Sequence, residues 1–287
     1  MIGVFDSGFG GLTVLKSLVA RLPAYDYFYL GDSARAPYGS RSLEVVHSFT
    51  REAVELLFAA GCPLVVLACN TASAQALRTL QQRHLPTHRP DRRILGVVRP
   101  SAEALAGLPP GAMPGVTQPS LAEGTVAVLG TAGTVASGSY ALELAKLAPR
   151  LRLIEHACPL WVPLVEAGET AGAGVDFFLH KYLDPLFARP DPPTRVLLGC
   201  THYPLLWSGI RAIVPAAVEV IAQGELLAER LADWLSRHPE MEHRLSRGAT
   251  RRYATTDDPT WFRAQGEPIM GTAIAVEKVR LPVWRDT

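Results

Sequence analysis

The sequence predicts an α/β fold of two similar halves, each built around a mostly parallel sheet flanked by helices. Short β-branched runs alternate with longer amphipathic stretches, which is the pattern of βαβ units. Runs such as LVVLA at 64–68 and VLLG at 196–199 are apolar throughout, as expected of strands covered on both faces. An apolar strand that ends in a cysteine and precedes a helix occurs twice, in ACNT at 68–71 and GCTH at 199–202. This repeated pattern indicates that the chain consists of two similar halves.

The predicted elements alternate along the whole chain, with apolar or aromatic runs as strands and stretches that repeat apolar residues on one face as helices. The predicted strands are 2–5, 27–30, 64–68, 94–98, 126–129, 152–155, 196–198, 218–221 and 252–255. The predicted helices are 12–21, 42–60, 72–84, 101–107, 139–147, 174–187, 205–213, 225–237 and 259–265. Two segments interrupt the alternation: the Pro- and Gly-rich stretch 108–124 is predicted as a long surface loop, and the polar stretch 237–251 as a connection.

Composition excludes several classes of protein. A chain of 287 residues with 48% hydrophobic residues is long enough for two domains with a sizeable core. The net charge of +1, with acids and bases interspersed, argues against a nucleic-acid partner. Apolar runs stay below membrane-spanning length, so no membrane partner is expected. Met1 is followed at once by the strand-like IGVF, which leaves no room for a signal peptide, and a cytoplasmic location is therefore expected.

The four cysteines are expected to be free thiols, since the chain is long and carries no export signal. They are Cys62, Cys69, Cys158 and Cys200. A pyridoxal phosphate enzyme needs a Schiff-base lysine. None of the four lysines lies in a sequence that suggests this role, and these are Lys16, Lys146, Lys181 and Lys278.

Cys69 and Cys200 are the strongest candidates for chemistry, because each follows a predicted strand and precedes a predicted helix. Ligands bind at this edge of a parallel sheet. The N–H groups and dipole at a helix N-terminus are expected to lower the pKa of both thiols from the ordinary value of about 8.5. A buried cysteine that acts only as a small apolar residue is the alternative for either one alone. Two matching contexts favour the functional interpretation.

Two further loops follow strands and could bind a ligand. In DSGFGG at 6–11, glycines allow successive N–H groups to converge on a phosphate or a carboxylate, although a simple tight turn explains the pattern equally well. In GDSARAPYG at 31–39, Tyr38 and Gly39 could present a backbone N–H. A zinc site made of Cys69, Cys200 and His202 and a redox disulfide between the cysteines are alternatives, but the chain has no CxxC motif.

Six segments together resemble the glutamate racemases in order and spacing. They are IGVFDSGFGG at 2–11, GDSARAPYG at 31–39, LACNTAS at 67–73, GTAGTVASGSY at 130–140, ACPLWVPLVEAG at 157–168 and LGCTHYPLL at 198–206. The resemblance covers almost the whole chain. Each segment alone is a weak signal, but the combination is specific to this family.

The resemblance implies two α/β domains with the active site in the cleft between them. Residues 1–97 plus 208–287 would form the domain that carries Cys69, and residues 98–207 the domain that carries Cys200. It also implies cofactor-independent racemisation of L-glutamate to D-glutamate for peptidoglycan synthesis, without a metal, in a cytoplasmic homodimer. Two similar bases on opposite faces of the α-carbon suit this reaction, because turnover exchanges their protonation states.

The resemblance also implies roles for individual residues. Cys69 and Cys200 would be the acid/base pair, with Asp6, His202 and Glu166 as assisting groups. The matched substrate-binding positions are Asp6, Ser7, Ser33, Tyr38, Gly39, Asn70, Thr71, Thr201 and His202.

The chain departs from the family pattern in three places. Ala222 and Gln223 stand where many members have Asp after the late strand, Arg99 stands where many have Glu, and the insert 108–124 is long. Three alternatives remain: a racemase for another amino acid such as aspartate, a relative that binds a carboxylate ligand without catalysis, and a zinc or redox protein.

Overall fold

The computed structural model describes residues 1–113, 115–120 and 123–282. Its strands are β1 (Ile2–Asp6), β2 (Tyr27–Gly31), β3 (Leu64–Leu67), β4 (Arg93–Gly96), β5 (Gly124–Gly130), β6 (Leu151–Ala157), β7 (Arg195–Gly199), β8 (Glu219–Ile221), β9 (Arg251–Thr255) and β10 (Val276–Lys278). Its α-helices are α1 (Leu12–Arg21), α2 (Leu43–Ala59), α3 (Asn70–Gln75), α4 (Leu77–Thr79), α5 (Leu85–His88), α6 (Val98–Leu105), α7 (Ala132–Ala136), α8 (Ser139–Leu147), α9 (Trp161–Glu166), α10 (Ala173–Phe187), α11 (Trp207–Ile213), α12 (Gln223–Arg237), α13 (Pro239–Glu242) and α14 (Pro259–Met270).

The strands form two parallel sheets. One sheet has six strands in the order β10-β9-β2-β1-β3-β4, and the other has four in the order β6-β5-β7-β8. Every strand pair is parallel. The prediction of an α/β fold with two helix-flanked parallel sheets is therefore confirmed.

The first sheet has an apolar core on each face, because alternate side chains of a strand point in opposite directions. Ile2 and Val4 of β1 face a core that contains side chains of α1, α12 and α14, whereas Phe5 faces a core formed with α2. The first of these cores continues into the second sheet through Ala127 and Leu198. One of the two cores of the first sheet is thus continuous with the second sheet.

The first sheet is assembled from distant parts of the chain. Tyr27 of β2 is paired with Arg251 of β9. Just before β2, Asp26 accepts hydrogen bonds from the amides of Gly248 at 2.9 Å and Thr250 at 2.8 Å. Hydrogen bonds from the Ser246 side chain, Thr250 and Gly248 lower the pKa of Asp26 to about 2.

Several elements differ from the sequence predictions. The predicted helix 72–84 begins earlier, at Asn70, and divides at Ala76, where φ is −109°; a π-helical turn at Leu80–His84 follows α4. The helices α5, α7, α9 and α13 and the strand β10 were not predicted. In the predicted surface loop, the side chains of Leu108 and Ala112 are buried against α6 and α8. Residues 114, 121 and 122 of this loop lie outside the described residues.

The division into domains 1–97 plus 208–287 and 98–207 stays a prediction. The strand β8 lies within the range 208–287, yet it pairs with β7 in the four-stranded sheet, with Val196 opposite Val220. Strand pairing therefore returns the chain to the first sheet only after Ile221.

Candidate active site

The carboxyl ends of β1, β3 and β7 bring the predicted residues together from both sheets. Asp6 is the last residue of β1, while Cys69 and Cys200 follow β3 and β7. The hydroxyl of Thr201 donates to Asp6 Oδ1 at 3.2 Å, and Thr13 Oγ1 of α1 donates to the Thr201 carbonyl at 3.2 Å. The loop that carries Cys200 thus contacts the first sheet directly.

Cys69 caps the N-terminus of α3. Its sulfur accepts a hydrogen bond from the Ala72 amide at 3.5 Å, and its thiol donates to Ser7 Oγ at 3.6 Å. Burial disfavours the thiolate and, together with the negative charge of Asp6, raises the pKa of Cys69 to about 12. The Ala72 and Ser7 contacts lower this pKa by less. The prediction that the helix N-terminus gives Cys69 a low pKa is therefore wrong, and Cys69 is a neutral thiol at neutral pH.

Cys200 lies beside a buried histidine that is held by a carboxylate. The Cys200 sulfur is 3.9 Å from His202 Nδ1, and Glu166 Oε1, at the end of α9, is 3.5 Å from Nε2. Nε2 makes no hydrogen bond to the described residues, so the Glu166 contact is an ion pair only. Burial opposes a charge on His202, but its contacts with Cys200 and Glu166 and the charge of Asp6 outweigh it and raise the pKa of His202 to about 10. At neutral pH His202 is therefore an imidazolium, and its Nδ1 lies 3.9 Å from the Cys200 sulfur.

Asp6 connects the two cysteine loops. Its side chain is fully buried, and Oδ2 accepts a hydrogen bond from the Gly8 amide at 3.0 Å. Burial raises the pKa of Asp6, while the charge of His202 and the hydrogen bonds from Gly8, Gly11 and Thr201 oppose this rise. Its charge therefore acts on the acidity of both Cys69 and His202.

The glycine-rich loop after β1 allows the two halves to approach closely. A Cβ atom on Gly10 would lie 2.6 Å from His202 Nδ1 and 2.8 Å from Thr201 Oγ1. Phe9 packs edge-on against the His202 ring, with ring centroids 5.2 Å apart. The absence of a side chain at Gly10 is therefore required for His202 to occupy this position.

The loop 31–39 is held by a buried carboxylate. Asp32 Oδ2 accepts hydrogen bonds from the Tyr38 hydroxyl at 2.5 Å and from Arg35 Nε at 2.7 Å. Gly39 follows and contacts the second half, because a Cβ atom there would lie 2.6 Å from the Thr131 Cβ. The Tyr38 hydroxyl thus fixes the loop, and Gly39 lies at the junction of the two halves.

Thr71 also reaches across this junction. Its hydroxyl is 3.0 Å from Thr131 Oγ1 and 3.2 Å from Thr134 Oγ1, both at the start of α7. Both threonines belong to the GTAGT turn at 130–134, which is visible in the sequence but carries no local signal for a contact with Thr71. Asp32 likewise has no local signal in the sequence beyond its place in a loop.

Most of the predicted residues are thus connected through contacts at one junction, and Ser33 is the exception. Its side chain is half-buried at the start of a 3₁₀ turn, Ser33–Arg35, and its hydroxyl makes no hydrogen bond to a described residue. The structure therefore gives no contact that joins Ser33 to the other predicted site residues.

Comparison with known proteins settles the family. No family model matches the sequence. Over 264 residues, however, the chain is 41% identical to the glutamate racemase of Paracoccus denitrificans (strain Pd 1222), covering 90% of this chain and 92% of that protein. The chain belongs to the glutamate racemase family.

Solved structures of glutamate racemases share the whole fold. Glutamate racemase isoform RacE1 of Bacillus anthracis matches with a TM-score of 0.84 and 35% identity, over 99% of this chain and 98% of that one. The glutamate racemase of Francisella tularensis, solved in complex with D-glutamate, matches with a TM-score of 0.83 and 29% identity, over 99% and 98%. The predictions of family and of enzyme class, an isomerase acting on amino acids, are confirmed.

Two features of the structure bear on the zinc and membrane classes of protein. Among the described residues, no group of three or more His, Cys, Asp or Glu side chains is arranged to hold a metal ion. None of the helices in residues 1–113, 115–120 and 123–282 has the length and apolar character to cross a bilayer. The cofactor independence, the homodimer and the cytoplasmic location stay predictions.

Proposed function

We propose that the protein interconverts L- and D-glutamate with Cys69 and Cys200 as two opposed bases and without a cofactor. The observation that carries the proposal is the placement of two buried cysteines, one from each sheet, in loops that Asp6 connects. The charge of Asp6 acts on Cys69, and its carboxylate accepts a hydrogen bond from Thr201, the neighbour of Cys200. The choice of glutamate as the substrate rests on membership of the glutamate racemase family.

The reaction exchanges one proton on each face of the α-carbon. The thiolate of one cysteine removes the α-proton, and the electron pair stays on the α-carbon and its carboxylate. The thiol of the other cysteine then delivers a proton to the opposite face and becomes the thiolate. Protons and electrons balance, and each turnover exchanges the two protonation states.

The two cysteines have different surroundings, which supports different roles at rest. Cys69, with a pKa raised to about 12, is the thiol at rest, and the His202 imidazolium beside Cys200 would stabilise the negative charge of a thiolate formed there during turnover. Glu166 supports the charge on His202 from the far side of the ring. When Cys69 becomes the thiolate, burial and the charge of Asp6 make it a strong base, which favours the reverse step.

We further propose that polar groups around the cysteines bind the ammonium and the two carboxylates of glutamate. Their clustering at the junction supports this role for all of them except Ser33, which rests on the family resemblance. They are Asp6, Ser7, Ser33, Tyr38, Gly39, Asn70, Thr71, Thr201 and His202. The product, D-glutamate, would supply peptidoglycan synthesis in the cytoplasm.

The test is incubation of chelator-treated protein with L-glutamate in deuterated water, without any added cofactor. We expect loss of the circular dichroism signal of L-glutamate together with deuterium uptake at the α-carbon. Cys69→Ala and Cys200→Ala should each lower kcat/KM by about 10²–10⁴-fold, the usual contribution of an acid/base group. Cys62→Ala, a change at a buried cysteine in the core of the first sheet, is the control and should keep the activity. Full activity in both active-site variants would refute the two-base mechanism.

A further inference from the structure

Gln223, the first residue of α12, lies in a buried hydrogen-bond network beside the candidate active site. It is 2% exposed. Its Oε1 accepts a hydrogen bond from Asn70 Nδ2 at 2.7 Å, and its Nε2 lies 3.1 Å from Asn70 Oδ1. Nε2 also donates to Ser101 Oγ at 2.7 Å and lies 3.1 Å from the Tyr140 hydroxyl. The two side-chain amides therefore pair through both of their polar ends.

The network fixes the orientation of the Asn70 amide. The Tyr140 hydroxyl donates to Asn70 Oδ1 at 2.6 Å, on the same oxygen that Gln223 Nε2 approaches. Rotating the Asn70 amide by 180° would place its NH₂ group against the NH₂ group of Gln223 and its oxygen against Gln223 Oε1. Because both ends of the pair would then repel, only one orientation is compatible with Gln223.

The fixed orientation determines which hydrogen of Asn70 is free for a ligand. An amide nitrogen carries two hydrogens. Within the described part of the chain, Gln223 accepts one of those on Nδ2. Asn70 directly follows Cys69 at the N-terminus of α3, and the second hydrogen on its Nδ2 remains available to a ligand at this end of the helix. A donor at this place suits a carboxylate oxygen and not an ammonium group.

We propose that Gln223 is a positioning residue that orients Asn70 to donate a hydrogen bond to a carboxylate of the substrate. This inference rests on the proposed function of the same site. The resemblance assigned no role to Gln223, which stands at one of the departures from the family pattern. The network also joins α3 of the first half to α6 and α8 through Ser101 and Tyr140, so Gln223 holds Asn70 where the two halves meet.

The first test is the variant Gln223→Met, which keeps the approximate volume of the side chain and removes all of its hydrogen bonds. We expect KM for glutamate to rise about tenfold in both directions, since a hydrogen bond to a charged group is weakened. We expect kcat to change less than threefold. Ser101→Ala is the matched control, because it removes a partner of Gln223 but none of Asn70, and its KM should stay within twofold of the wild-type value.

A double-mutant cycle shows whether Gln223 acts through Asn70. In an Asn70→Ala background, Gln223→Met should cause no further rise in KM. Gln223→Glu is the second variant, because it keeps the shape and the acceptor for Asn70 Nδ2 but replaces the donor with an oxygen that repels Asn70 Oδ1. The same rise in KM is expected.

The outcomes separate this inference from the proposed function. A wild-type protein without activity on glutamate would overturn both. An active wild type, with KM unchanged in Gln223→Met and Gln223→Glu, would overturn the inference alone. Additive effects in the cycle, or failure of both variants to fold, would assign Gln223 a purely structural role and would likewise overturn it.

Discussion

Replacing His202 by Asn removes the positive charge that the structure places beside Cys200. The sulfur and Nδ1 are 3.9 Å apart. Two unit charges at this distance attract by about 4 kcal/mol at an effective dielectric constant of about 20. Because about 1.4 kcal/mol corresponds to tenfold in rate, we expect kcat/KM to fall by up to about 10³-fold. Wild-type kcat/KM should also fall as pH rises through about 10, where His202 loses its proton.

The assay is circular dichroism, started from each enantiomer of glutamate in turn. L- and D-glutamate have equal free energies, so kcat/KM must fall by the same factor in both directions. His180→Asn is the control, since His180 on α10 is 56% exposed and should leave kcat/KM within twofold of the wild-type value. A fall of less than tenfold in a folded His202→Asn protein would refute the electrostatic role.

Three further predictions follow from single contacts. The rate at which iodoacetamide alkylates Cys69, measured by mass spectrometry, should rise tenfold per pH unit between pH 8 and pH 10, because the pKa of Cys69 is raised to about 12. A plateau of this rate between pH 8 and pH 10 would contradict the raised pKa. Gly10→Ala should lower the free energy of unfolding by about 1–3 kcal/mol and reduce activity, since the new Cβ would overlap His202. Gly174→Ala, where a Cβ meets no atom within 4 Å, is its control, and equal unfolding midpoints in urea would count against the argument. The folded-state pKa of Asp26 is lowered to about 2, so its stabilising contribution is present above about pH 4 and is lost as pH falls through about 2. In urea titrations, Asp26→Asn should therefore flatten the dependence of the free energy of unfolding on pH between these two values. An unchanged pH dependence would exclude the contribution of Asp26.

The central strands and long helices could be predicted because the order of apolar and polar residues in their sequences reflects which of their faces are buried. The run at 64–67 is apolar on both faces because the helices on both sides of the first sheet bury it. The strand β10, Val276–Lys278, has no such pattern, since it lies at the edge of the sheet and its residues are half-buried or exposed. Its existence depends on pairing with β9. The sequence of β10 itself has no pattern that predicts its pairing with β9.

The position of Cys69 and Cys200 after two strands could be predicted from the repeated sequence pattern, but the electrostatic surroundings of the two thiols could not. The helix N-terminus at Cys69 was visible in the sequence, whereas the burial of Cys69 and its proximity to Asp6 result from packing. The same holds for Gln223, which is 153 positions from Asn70 along the chain. Contacts of this kind arise only when segments that are distant along the chain pack together.

The pairing of β2 with β9 has a consequence for synthesis of the protein. The four-stranded sheet comes from one continuous stretch, from β5 to β8, and can pair its strands as that stretch leaves the ribosome. The six-stranded sheet cannot form in this way, because its strands β2 and β9 are far apart along the chain. Asp26 and Thr250, which directly precede these strands and are joined by a hydrogen bond, are 224 positions apart. Until β9 and α14 have been synthesised, β2 has an unpaired edge and α1 lacks its packing contact with α14. Both cysteines have been synthesised before that point. The nascent chain therefore contains both candidate active-site cysteines before the sheet around Cys69 is complete, and the last strands to emerge complete it.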